Sequence, residues 1–132
     1  MIEPASYVAE IELALVSSPV LENFHVLRVW TNSDDGYLRL RATLVNGDFL
    51  EAAEYFVLDV EAIKTVDYRH QWMDGARKVL RRRWDSTPDH PELDNFPYHV
   101  HVVDEQDVQP DKPMSILELL KWFEAHFQEL SD

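Results

Sequence analysis

From Phe24 to Trp84 the chain keeps a rhythm of two, apolar or β-branched side chains alternating with polar ones. That rhythm puts successive side chains on opposite faces of an extended strand, and a helix cannot use it. Turn signals cut the passage at Asp34-Asp35-Gly36, at Asn46-Gly47 and at Asp74-Gly75. The expected framework is an antiparallel meander of about five strands, with Tyr98–Val103 as a short sixth. Asn-Gly between two alternating runs is a strong hairpin signal, because type I′ turns need positive φ at both central residues. A two-residue Asn46-Gly47 loop sets Val45 opposite Asp48. Leu38, Leu40, Ala42, Leu44, Phe49, Ala53, Tyr55 and Val57 then share the expected core face. Tyr37, Arg39, Arg41 and Thr43 take the other face, with Glu54 opposite Arg39. Glu51 falls on the apolar face in this register, where nothing accounts for it.

Helical periodicity brackets the strands. Val8, Ile11 and Leu15 recur at helix spacing within Ser6–Ser17, and Ser17-Ser18-Pro19 ends the run. Ser115-Ile116-Leu117-Glu118 has the form of a capping box, and Ile116, Leu119, Leu120, Phe123, Phe127 and Leu130 follow as one apolar stripe. The fold class is therefore α+β: a meander of about five to six strands with an N-terminal and a C-terminal helix packed on one face. A chain of 132 residues, 45% apolar and without a second composition boundary, suits one domain over 1–132.

No cysteine is present, which excludes disulfides, thiolate metal sites and Cys nucleophiles. Neither a secretory leader nor a membrane span is legible, so a soluble, cytoplasmic protein is expected. The net charge of −13 argues against a general nucleic-acid binder. Yet residues 64–83 carry 7 basic and 2 acidic side chains between two acidic blocks. That island is either a solvated strand face or a ligand-binding patch.

Candidate chemistry gathers at its end. Residues 84–101 contain His90, His99 and His101 together with Asp85 and Trp84. On an extended strand His99 and His101 point the same way, as a pair offering imidazoles to one metal ion or to acid–base work. No third ligand has a defining spacing, so a metal-free site without cofactor is expected; if an ion is held, His99 and His101 hold it. Taking Asp74-Gly75 as a two-residue loop sets Trp72 opposite Arg77 and Tyr68 opposite Arg81. One face then interleaves Tyr68, His70 and Trp72 with Arg77, Arg81 and Arg83, a combination suited to base stacking and phosphate contact.

The same residues carry a family resemblance. Trp84, Asp85, Pro88, His90, Pro91, Glu92 and Leu93, followed by Phe96, Pro97 and the spaced pair His99 and His101, are similar to the motif of the TumE family of bacterial toxin–antitoxin proteins. Tyr68 and Trp72 ahead of an Arg/Lys-rich strand also resemble the family pattern, as do the hairpin of residues 37–59 and the Pro-Ser-led last helix. The resemblance implies a toxin component that partners a helix-turn-helix antitoxin, with RNA cleavage as the expected activity.

Two readings stay open at this point. In the first, an RNA-directed ribonuclease-like toxin uses His90, His99, His101 and Asp85 for proton transfer and Arg81 or Arg83 for the developing charge. Tyr68, His70, Trp72, Arg77 and Trp84 would then bind the substrate. In the second, the chain is a non-catalytic module whose acidic surface meets a basic partner. A homodimer is compatible with either.

Overall fold

In a computed structural model, residues 3–86, 97–102, 108–110 and 113–126 are described, the backbone alone for 108–110. Helix α1 (Pro4–Ser17) begins on a proline, whose fixed φ and missing N–H suit the first turn. Seven strands follow among the described residues: β1 (Leu21–Thr31), β2 (Asp35–Leu44), β3 (Phe49–Asp59), β4 (Ala62–Met73), β5 (Leu80–Asp85), β6 (His99–Val102) and β7 (Val108–Pro110). They form one antiparallel sheet in chain order, β1 through β7. Helix α2 (Ile116–Ala125) closes the order. The expected meander between two helices is thus present, extended by the short seventh strand.

Ser115 caps α2 as expected, its Oγ accepting from the Glu118 N–H at 3.0 Å. Ile116, Leu119, Leu120 and Phe123 are buried, while Phe127 and Leu130 lie outside the described residues. Tyr7, Val8, Ile11 and Leu15 form the buried stripe of α1. Both helices pack on one face of the sheet and touch each other. Beneath them lie Leu38, Leu40, Ala42, Leu44, Leu50, Ala52, Phe56, Trp72 and Trp84, all buried. Neither described helix is long and apolar enough to cross a membrane.

The first hairpin departs from its expected register by one residue. Arg39 pairs with Ala53, and Thr43 with Phe49. The loop holds three residues, Val45–Gly47, with the Leu44 N–H bonding to the Asp48 carbonyl at 2.8 Å. Gly47 takes a φ of 90°, whereas Asn46 is not among the positive-φ residues, so the type I′ geometry does not form. Asn46 instead accepts from the Asp48 N–H through its own side chain, the local bond that makes Asn a turn residue. A one-residue slip turns every side chain of the second strand over. Leu50, Ala52, Glu54 and Phe56 therefore face the helices, and Phe49, Ala53, Tyr55 and Val57 face away. Glu51, anomalous in the expected register, sits on the outer face between Arg39 (2.9 Å) and Arg41 (2.7 Å).

The β4–β5 connection is wider than two residues for a similar reason. The Asp74 carboxylate accepts from the Lys78 and Val79 N–H groups, and Arg77 adopts φ 58°. Trp72 accordingly pairs with Arg82, His70 with Trp84 and Gln71 with Arg83. Gly36, expected in a turn, lies within β2 against the Phe56 ring, and a Cβ there would meet the ring at 2.5 Å.

Candidate functional site

Strands β5 and β6 pair Asp85 with His99 and Arg83 with His101, so these four side chains share one face. Trp84 and Val100, the residues between, point to the helices and are buried there. Strict alternation along two paired strands thus assembles a polar cluster on the face away from both helices. The four residues are 2–8% exposed, and the two imidazoles lie 4.9 Å apart, ring to ring. Arg83 Nη2 is 3.2 Å from His101 Nε2, and Arg83 Nε is 3.5 Å from Asp85 Oδ2. A guanidinium only donates, so His101 Nε2 is the acceptor and carries no proton. His99 Nδ1 donates to the Pro97 carbonyl at 2.9 Å, which fixes the ring and leaves the lone pair on Nε2.

The cluster continues into an open face. Arg69 pairs with Asp85 and Gln71 with Arg83 across β4–β5. Tyr37, Arg39, Glu51, Ala53, Arg69 and Gln71 line a cavity of about 380 Å³ there. Further along, Trp30 stacks on Tyr37 with ring centroids 6.1 Å apart, and Tyr55 lies 6.1 Å from Trp30. Arginines and aromatics are therefore interleaved on this sheet, but on β1–β4.

The expected constellation on β4–β5 is not formed, because its register differs. Tyr68, His70, Trp72 and Trp84 face the helices and are buried in the core. Arg81 instead pairs with Asp48 at 2.7 Å, and Arg77 lies 4.0 Å over the Phe49 ring. Arg83, Asp85, His99 and His101 are the expected site residues that the fold brings together; His90 lies outside the described residues. Sequence reasoning missed Arg69, Trp30 and Tyr55 as parts of the outer face, and only the strand register reveals them. It also missed Asp48, which accepts from Trp72 Nε1 at 2.9 Å while pairing with Arg81.

His70 has a structural role. Its Nε2 donates to the Met114 carbonyl at 2.7 Å, and its Nδ1 has no hydrogen-bond partner among the described residues. Burial pushes its pKa from 6.5 down to about 4, the Met114 bond opposing in part. The unfolded chain therefore binds a proton that the folded chain refuses between those values. Stability carried by neutral His70 is complete above 6.5 and is lost as the pH falls towards 4. Urea titrations across this window should show a loss of about 3 kcal/mol. His70→Asn should flatten that slope; an unchanged slope would remove His70 as its source.

Two helices covering one face of a meander, with a buried His–Asp–Arg cluster on the opposite face, define a small α+β protein whose polar centre lies on the side of its sheet away from both helices. The chain belongs to the TumE family: the family model, described as Toxin TumE, matches residues 11–130. Comparison with curated proteins and with solved structures finds no match to this chain.

Proposed function

We propose that the chain is a toxin acting on RNA, engaging the phosphodiester at Arg83, Asp85, His99 and His101 and laying the strand along the open sheet face. The observation that supports this most is the placement of two imidazoles beside a guanidinium on paired strands. Cleavage by a 2′-hydroxyl needs a base for its proton, an acid for the departing 5′-oxygen, and positive charge near the phosphate oxygens. Imidazole suits proton transfer near neutral pH, and the His101 Nε2 lone pair faces the Arg83 guanidinium. Arg83 supplies the positive charge. On the outer face, Arg39 and Arg69 suit phosphates, and Trp30, Tyr37 and Tyr55 suit stacked bases.

Membership of a toxin family also supports a neutralising antitoxin as partner. The net charge of −13 suits a basic one, such as a DNA-binding helix-turn-helix protein. Purified protein incubated with end-labelled RNA tests the enzymatic reading. Discrete cleavage is expected, slowed about 100-fold or more by His99→Ala. Arg69→Ala should instead weaken RNA binding with little change at saturating RNA. Intact RNA after prolonged incubation with folded protein would overturn the proposal in favour of a protein-binding toxin without catalysis.

A further inference from the structure

We infer that Asp85, His99 and His101 bind one divalent transition-metal ion, zinc foremost. One ligand atom from each lies within 4.8 Å of the others, and all three residues are buried. Among the described residues this is the group of His and acidic side chains so placed. Ligand atoms around a tetrahedral zinc ion stand roughly 3.3 Å apart, given metal–ligand bonds of about 2.0–2.1 Å. Binding therefore requires side-chain rotations that close the observed spacing of up to 4.8 Å to that distance. Two imidazoles and one carboxylate are a borderline donor set, which favours zinc and its neighbours over magnesium or calcium.

The scaffold also resembles what a metal ligand requires. The Pro97 carbonyl takes the His99 Nδ1 proton, which directs the Nε2 lone pair away from that contact, as backbone carbonyls do behind metal-bound histidines. Asp85 and His99 are direct partners across β5–β6, so their relative position is set by backbone hydrogen bonds. Arg83 acts against the ion: its guanidinium lies 3.2 Å from His101 Nε2 and carries a like charge. It is a competitor, and removing it should strengthen binding.

The assignment rests on the same cluster as the proposed RNA chemistry. With an ion in place the imidazole lone pairs are committed to it, and the base of the cleavage step becomes water polarised by the ion.

The test uses the full chain stripped of metal, titrated with Zn²⁺ by calorimetry and with Co²⁺ by visible absorption. One ion per chain and the absorption bands of low-symmetry cobalt are expected. His99→Ala and Asp85→Asn should each weaken Zn²⁺ binding by about tenfold or more, and Arg83→Gln should strengthen it, on the scale by which neighbouring groups tune metal affinity. His25→Ala, an exposed histidine on β1, should change nothing. Circular dichroism verifies that each variant is folded. No uptake by the wild-type chain, or equal affinity in folded His99→Ala and Asp85→Asn, overturns the inference. RNA cleavage that persists in EDTA without zinc uptake overturns it too, and leaves the RNA proposal standing. Zinc uptake with RNA left intact supports the metal site and overturns the RNA proposal.

Discussion

Phe123→Ala should lower the stability of the fold by about 3–5 kcal/mol, the range for deleting a buried phenyl ring. Phe123 is fully buried on α2 and meets three indoles edge-on, Trp72 at 5.3 Å, Trp84 at 5.9 Å and Trp122 at 5.2 Å. Edge-to-face pairs add to the area buried, so the loss should sit towards the upper end. The surrounding rings are large and held: Trp72 is tied to Asp48, and Trp84 belongs to a strand paired on both sides. They cannot collapse into the space that truncation opens. Phe123→Leu, which refills much of it, should lose about 1–2 kcal/mol. Urea unfolding at neutral pH reads both values. A wild-type midpoint for Phe123→Ala would mean that α2 does not hold the sheet.

The second large effect belongs to Glu54, a carboxylate with no exposed surface. It accepts from Tyr7 Oη at 2.7 Å, from Thr65 Oγ1 at 2.8 Å and from the Ile116 N–H at 2.8 Å. One side chain on β3 therefore ties down α1, β4 and the first turn of α2. Glu54→Ala would strand three donors in the core and should remove on the order of 3–5 kcal/mol. Glu54→Gln keeps acceptor capacity and should lose much less. Burial raises the Glu54 pKa above the ordinary carboxyl value, with the bonds from Ile116, Tyr7 and Thr65 opposing. The folded chain thus holds this proton more tightly than the unfolded chain. Its contribution is full below the unfolded pKa and is lost as the pH rises through the raised one. Glu54→Gln should remove that decline when urea midpoints are compared at mildly acidic and alkaline pH. A Glu54→Ala variant as stable as wild type would discard the whole account.

Local signals in the chain carried the helices and the strand sequence. Ser115 and Glu118 mark the start of α2, and period-two runs mark β1 to β5. Registers were not legible, because they depend on turn geometry that a dipeptide underdetermines. Asn46-Gly47 permits a two-residue or a three-residue loop, and the Asn46 side chain decides by bonding to Asp48. Glu51 was the available warning, since a carboxylate on the apolar face is a sign of a slipped strand. The same ambiguity at Asp74-Gly75 misplaced Arg77 and Arg81, while the His99–His101 spacing survived because alternation within one strand needs no turn. Asp85 and Arg83 join that pair only through cross-strand pairing, which sequence spacing does not encode.

Strands β5 and β6 present Arg83, Asp85, His99 and His101 on one side and Trp84 and Val100 on the other. A polar cluster and its anchorage in the core are thus interleaved, position by position, in a single ribbon. Substitution at the odd-numbered residues would alter the polar cluster while Trp84 and Val100 stay buried on the other face. Such a ribbon separates the residues that set the polar cluster from those that hold the strand pair to the core. It also makes the protein brittle in one respect: a single inserted residue in β5 would swap the two sets, carrying Trp84 outward and charge into the core.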